Sequence, residues 1–324
     1  MIIGLTYDLR SDYLKEGYSH EETAEFDKEE TIAGIENAIQ NAGFETERIG
    51  HARQLMTALS AGKKWDLVFN IAEGMYGEGR ESLIPALLDS YKIPYVFSGP
   101  VTLGVSLNKA FTKHIVRDAG ILTPDFFVVY KVEDIENCKL EYPLFAKPIA
   151  EGTGKGIENK SVIKDKNQLK VVCTSLLKTF KQAVLVERFL PGREFTTGIV
   201  GNGNEASVVG SMEVVYGENT SEIYSMFNKE NYEDRISYRL PDDETALKCA
   251  EISLKVWNIL NANDGGRVDL RMDENGNVNF LEINPLAGLN PIHSDLPLLS
   301  KLNNLSYQEL MNRILNASIK RNQL

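Results

Sequence analysis

Cysteine is scarce in this chain of 324 residues: Cys138, Cys173 and Cys249 are odd in number, far apart and without a CxxC pair. Such usage argues against a disulfide framework and for reduced thiols in a cytoplasmic protein. No window approaches the roughly 18–20 apolar residues of a membrane span, so no membrane partner is expected. Basic residues are in deficit, 35 Lys and Arg against 46 Asp and Glu, and the net charge of −11 argues against nucleic acid. The N-terminus, MIIGLTYDL, lacks the basic-then-apolar layout of a signal peptide and reads as a first strand. Repeats, low-complexity tracts, the Walker A spacing and an evident Ser-His or Cys-His nucleophile pair are also missing. What remains is an ordinary soluble composition, 43% hydrophobic and 25% charged, long enough for two or three structural units.

The most informative stretch is Gly265–Ser294. Asn275-Gly276 is a strong signal for a two-residue type I′ hairpin turn. That turn would set Val268 opposite Ile283, Leu270 opposite Leu281 and Met272 opposite Asn279 on a mostly apolar face. The other face would carry Arg267 opposite Asn284 and Asp269 opposite Glu282. Two carboxylates facing across a strand pair repel, unless a divalent cation sits between them. The side chain of Asn284 points the same way as that of Glu282, and Asp, Glu and Asn are hard oxygen ligands suited to magnesium that also holds phosphate. A solvated hairpin face with two acids is the alternative reading. Pro285–Pro291 then forms a rigid, Gly-containing turn that would bring backbone N–H groups near the cation.

Strands alternate with helices in the first third, which predicts an open parallel sheet. The strands are Met1–Tyr7 and Trp65–Asn70, and Ile93-Pro-Tyr95 follows the second helix. One helix follows a capping box at Asp27–Glu30, carries Ile32, Ile35 and Ile39 inward and ends at Gly43; another spans Leu83–Tyr91. A Gly-rich loop, Glu73–Arg80, lies at a strand's C-terminal end, where open α/β sheets bind ligands. Asn108–Ala119 is a helix with Phe111, Ile115 and Ala119 four apart. Lys109 sits in its first turn, where the helix dipole disfavours a cation, so it is either an anion ligand or a surface lysine. An apolar strand ends in Lys147, and Glu151–Gly156 follows, with glycines that let N–H groups approach phosphate and the Thr153 hydroxyl as a further donor. A merely structural Gly-rich turn is the alternative. Ala183–Glu187 is a strand ending in an acid, with Glu194 beyond the next turn. Tyr216–Pro241 reads as a long loop. Leu247, Ala250, Leu254 and Trp257 mark a helix, and Ser306–Glu309 caps a last one through about Ser318.

Arg267-Val-Asp269, Glu282-Ile-Asn284 and Gly288 resemble the C-terminal signature of the D-alanine–D-alanine ligases, members of the ATP-grasp superfamily of carboxylate–amine ligases. Leu107-Asn-Lys109 looks like their Met-Asp-Lys, and Glu151-Gly-Thr-Gly-Lys-Gly156 like their Glu-Gly-Ser-Ser-x-Gly. The likeness spans roughly residues 66–300 and is densest from 143 to 294. It implies an ATP-grasp fold, α+β in the ATP-grasp part, behind an N-terminal open parallel α/β domain. The units would be residues 1–107, 108–188 and 189–324.

The resemblance implies ATP and Mg2+, or Mn2+, as cofactors and amino acids as substrates, in peptidoglycan biosynthesis, with a homodimer left open. Lys109 and Lys147 would hold ATP phosphates, with Glu151, Thr153 and Lys229 alongside. Glu187 would accept from the adenine amino group, backbone near Arg188 and Leu190 would complete that edge, and Glu194 would bind the ribose. Asp269, Glu282 and Asn284 would hold the metal, while Arg267 and the Gly288 N–H would stabilise the tetrahedral oxyanion. Ser294 would bind the attacking amino acid's carboxylate, and Tyr232 would close over the site.

The family's Gly-Gly-x-Ser-x-Glu, which holds the first substrate's ammonium, has no clean counterpart; Glu22 or Glu25 is the candidate. Glu73 stands where the family has a His, and its Gly-Glu-Asp-Gly loop matches Gly77–Gly79 only loosely. The expected reaction is ATP-dependent dipeptide formation through an acyl phosphate, as in D-alanyl-D-alanine. A different amino acid pair is the alternative, and a non-catalytic ATP-binding protein a more distant one.

Overall fold

The computed structural model describes residues 1–217 and 236–324. Within them the chain forms three sheets. The first is parallel, in the order β2-β1-β3-β4, from β1 (Ile2–Thr6), β2 (Glu45–Gly50), β3 (Leu67–Asn70) and β4 (Tyr95–Val96). Between its strands run α1 (Arg10–Lys15), α2 (Glu29–Asn41), α3 (Ala52–Ser60) and α4 (Leu83–Ser90). The open parallel sheet is as the alternation predicts; β2 and α3 are additions that the sequence patterns did not reveal. Ile32, Ile35 and Ile39 of α2 pack on Ile3 and Leu5 of β1, and Gly43 closes the helix at φ 92°. Its start differs, because Lys28 rather than Asp27 is the N-cap and no side chain caps it.

Helices α5 (Pro100–Leu107) and α6 (Lys109–Asp118) lead into the second sheet, which is antiparallel in the order β5-β8-β6-β7. Its strands are β5 (Phe126–Val129), β6 (Leu144–Pro148), β7 (Val162–Ile163) and β8 (Val184–Arg188). Helix α7 (Lys166–Phe180) covers it with Leu169, Val172, Cys173 and Leu176. Helix α6 sits the other way round from its apolar stripe. Phe111 is 56% exposed, while Lys109, Lys113 and Val116 form the buried face.

The third sheet runs β11-β10-β9-β12-β13, all antiparallel. It comprises β9 (Glu194–Val200), β10 (Ser207–Tyr216), β11 (Ile236–Arg239), β12 (Gly265–Met272) and β13 (Val278–Asn284). The stretch read as a loop thus begins and ends in paired strands; Lys229 and Tyr232 lie outside the described residues. Helix α8 (Thr245–Ile259) buries Val256 and Trp257 against this sheet but leaves Leu247 exposed. Helices α9 (Asp295–Leu302) and α10 (Tyr307–Asn322) follow, and α10 starts with the expected capping box between Ser306 and Glu309. Its Leu310 and Ile314 belong to the core of the first sheet.

The β12–β13 hairpin corrects the turn. Asp273 N–H donates to Asn277 O, so the loop has three residues, with Gly276 alone at positive φ (79°). A three-residue loop lowers the register by one, placing Leu270 opposite Phe280 and Met272 opposite Val278. A bulge at Leu281 then restores it, so Asp269 does face Glu282 and Arg267 does face Asn284. The two offsets cancel where it matters.

Asp264 ties the third sheet to the first. It is fully buried at φ 66°, accepts from the Phe97 N–H at 2.8 Å and pairs with Arg321 of α10 at 2.8 Å. Asp264→Ala would strand the guanidinium and that N–H, at a cost of about 3 kcal/mol. Urea denaturation should show the loss, and one below about 1 kcal/mol, the range of surface pairs, would remove Asp264 from this role.

Candidate active site

The third sheet faces the second across a small apolar-sided pocket and faces the first sheet's strand ends across a cavity of about 660 Å³. Glu282, beside the Leu281 bulge, lines both.

Lys147, at the end of β6, and Glu187, near the end of β8, line the small pocket, where Lys147 Nζ lies 2.8 Å from Glu187 Oε1. Lys113 Nζ lies 3.0 Å from the other oxygen. Burial alone would raise the Glu187 pKa, but Lys113 and Lys147 hold it below the usual value. Burial pushes Lys113 down to about 8 against the pull of Glu187. Lys147 goes the other way: burial disfavours its charge, yet Glu187 and Glu282 keep its pKa raised. The N–H groups of Arg188 and Phe189 donate to Asp125 O and Pro143 O. Among the described residues no main-chain carbonyl accepts from the N–H of buried Leu190. The Arg188 side chain turns outward to Glu274 at 2.9 Å. Glu194 accepts from Tyr216 Oη at 2.6 Å and from Arg271 at 2.7 Å. Leu281, expected on the core face, is turned by the bulge into this pocket.

At the junction Arg267 donates to both oxygens of Asp269, at 2.8 and 2.5 Å, and lies 3.3 Å from Asp295. Thr196 and the Asn284 amide also donate to Asp269, at 2.8 and 3.1 Å. Lys109 lies 3.5 Å from Glu282 and donates to Glu151 O at 2.5 Å, so its unfavourable helical position is used inward. These cations offset the repulsion that the register creates. Among the described residues no three His, Cys, Asp or Glu side chains stand close enough together to hold a metal ion by themselves. Two facing carboxylates with one amide nevertheless form an all-oxygen donor set that fits magnesium, because a flip of the Asn284 amide turns its oxygen inward.

The loop between Ala150 and Ile157 is held at its root. Arg80 donates to Ala150 O at 2.8 Å and to Glu25 at 2.8 Å, and Glu25 accepts from the Gly152 N–H at 2.6 Å. Glu25 thus lies in the cavity wall with its carboxylate spanning two segments, whereas Glu22 bonds Ser19 at the surface. Glu151 pairs with Lys155 at 2.7 Å, and Thr153 sits at φ 51° in the cavity wall. Near them Asp27, Glu73 and Glu81 line the cavity. Burial pushes Glu73 well above the usual carboxylate value, with Glu81 and Glu25 adding to it. Burial likewise raises Glu81 to about 7, against Arg80, and Asp27 to about 7, against Thr31 and Arg10.

On the opposite wall, Ser294 is the N-cap residue of α9 but makes no cap bond; its Oγ accepts from the Asn290 N–H at 3.0 Å. A Cβ on Gly288 would lie 2.9 Å from that oxygen, so glycine keeps this floor open. The sequence reading missed Lys113, Tyr216, Arg271, Asp27 and Glu81. Only Lys113 carried a usable signal, being one helical turn from Lys109.

A D-alanine–D-alanine ligase of Bacillus anthracis, solved with ATP, superposes with a TM-score of 0.75 at 23% identity over 100% of this chain and 99% of that one. VanG D-Ala:D-Ser ligase of Enterococcus faecalis gives 0.74 at 18% identity, covering 98% and 99%. The fold is therefore that of the ATP-grasp ligases. The family model for the D-ala D-ala ligase C-terminus matches residues 115–316. The D-alanine–D-alanine ligase of Aquifex aeolicus is 31% identical over 286 residues, 88% of this chain and 93% of the relative. The uncharacterized protein y4sG of Sinorhizobium fredii is 29% identical over 294 residues, 88% and 86% respectively. The chain belongs to the D-alanine–D-alanine ligase family.

The bonds at the hairpin split the two acids in their effect on metal-free stability. Asp269→Ala removes the nearest partner of buried Arg267 and should cost about 1–3 kcal/mol, whereas Glu282→Ala should stay within about 0.5 kcal/mol. Both should abolish magnesium-dependent ATP turnover. Thermal unfolding with a chelator present checks the split, and equal losses would refute it.

Proposed function

We propose that this chain is an ATP-dependent ligase that joins two amino acids by an amide bond through an acyl phosphate, with D-alanyl-D-alanine as the leading product. The observation that carries this reading is the position of Glu282 in the walls of both pockets. A nucleotide in the smaller pocket would then meet a carboxylate substrate in the larger one across a single side chain.

In the first step a substrate carboxylate oxygen bonds the γ-phosphorus and ADP leaves. In the second an amine attacks the acyl carbon, loses a proton and expels inorganic phosphate. Catalysis in this scheme is positioning and charge neutralisation. Lys109 and Lys147 hold phosphate oxygens, with Glu151 and Thr153 in the loop beside them. Leu190 and Glu187 border the base, and Glu194 the ribose. Asp269, Glu282 and Asn284 would hold magnesium, which neutralises phosphate charge when bound. Arg267 and the Gly288 N–H face the oxyanion. The Ser294 hydroxyl, its oxygen already accepting from Asn290, is oriented to donate to the second substrate's carboxylate.

Glu81 and Glu73 are the partners we assign to the first substrate's ammonium, since Glu25 is engaged by Arg80 and Gly152. A second reading, a different amino acid pair, is favoured by this same acidic wall, which stands where the family places a His and a single Glu.

The decisive assay is a matrix of D- and L-amino acids scored for ADP and phosphate release, with products identified by mass spectrometry. Release that depends on two amino acids, and a product mass of their sum less water, is expected. ATP binding without amino-acid-dependent release would defeat the proposal. Ser294→Ala should raise KM for the second amino acid about 10- to 100-fold, for a charge-assisted bond lost, with ATP affinity unchanged.

The first substrate should show a pH limb. Below about 7 Glu81 takes up a proton and an ammonium loses its counter-charge, so kcat/KM falls about tenfold per pH unit. Glu81→Gln should flatten that limb, and a limb unchanged in the variant would remove Glu81 from the role. Stability runs oppositely: a raised carboxyl favours the folded chain at acid pH, and this contribution fades as pH rises from about 4.5 to about 7.

A further inference from the structure

Helix α6 exposes Phe111 and buries Lys113 completely. An ammonium is a costly group to bury in place of an available phenyl ring unless its partners require it there. Its partners come from three parts of the chain. Lys113 Nζ lies 3.0 Å from Glu187 Oε2 on β8, donates to Thr123 Oγ1 at 2.8 Å and reaches Phe280 O on β13 at 3.4 Å. The Thr123 hydroxyl donates to the same Phe280 carbonyl at 2.9 Å, and the ammonium lies 5.9 Å from the Phe280 ring centroid. Phe280 immediately precedes the bulge that turns Leu281 and Glu282 into the nucleotide pocket. The remaining Glu187 oxygen carries Lys147 at 2.8 Å.

We propose that Lys113 is a positioning residue for the nucleotide: it fixes Glu187 so that Glu187 fixes Lys147, and it pins β13 at the foot of the bulge. Glu187 is in this arrangement a hub between two lysines, so beside its place at the base edge it acts on ATP through Lys147 and the phosphates. The inference rests on the reading that ATP occupies the small pocket.

Lys113→Met keeps the length of the side chain and removes the charge. At a temperature well below unfolding it should weaken ATP binding at least tenfold in calorimetry and raise KM for ATP, with KM for the amino acids changed less than twofold. Purine riboside triphosphate, which lacks the 6-amino group, should lose affinity in Lys113→Met as well, because the effect reaches the phosphates through Lys147. Lys113→Arg should recover part of the loss. Should Lys113→Met not fold, Thr123→Val carries the test, with a smaller loss of ATP affinity in the same direction. Unchanged ATP affinity in the folded variants, or a loss confined to ATP over purine riboside triphosphate, would overturn the inference. Wild-type protein that binds no ATP would instead overturn the reading on which it rests.

Discussion

Asp269 and Glu282 sit opposite one another across β12 and β13, where like charges repel. Every charged group around them follows from that constraint. Arg267 donates from one nitrogen to both oxygens of Asp269, and Thr196 and Asn284 donate to it as well. Lys109 reaches Glu282 from another helix. Such an arrangement balances charge without a metal and keeps two oxygen-bearing side chains aligned for one. In the proposed reaction the cations that stabilise the resting pair are also the groups that would face a phosphate or an oxyanion, so bound substrate would redistribute partners already in place.

The two sides of the larger cavity differ in how rigidly they are built. The hairpin side rests on a ladder of paired backbone, with Ser294 and Gly288 in close register beyond it. The opposite side is assembled from separate segments, with Asp27, Glu73 and Glu81 each pushed upward by burial. A cationic group bound on that side, as proposed, would be held by electrostatics that depend on pH, whereas the hairpin side would work through fixed geometry.

The sequence was most legible where function is carried by short contiguous motifs. Lys147, Glu187, Glu194 and the Asp269–Asn284 block stand in an order and chemistry that identify the fold class, and the structure gathers them around two adjoining pockets. The facing of Asp269 and Glu282 was anticipated through an incorrect turn, because a longer loop and a bulge displaced the register in opposite directions. The apolar spacing of Phe111 and Ile115 misled for a physical reason: α6 buries the face that carries its polar partners. Capping by Asp27 failed because that carboxyl lines the cavity instead. Glu81 and Tyr216 had no local signal, since each acquires its role only when remote strands meet.

Helix α10 bears on how the molecule comes into being. The core of the first sheet contains Ile3, Leu5 and Ile32 but also Leu310, Met311, Ile314 and Leu315. Domains commonly fold in the order of their synthesis, the N-terminal one first. Here α2 covers part of the face of β1 locally, but the core is completed only by α10, which follows both of the other sheets in the chain. Loss of α10 would therefore be felt in the first sheet, the one most distant from it in sequence.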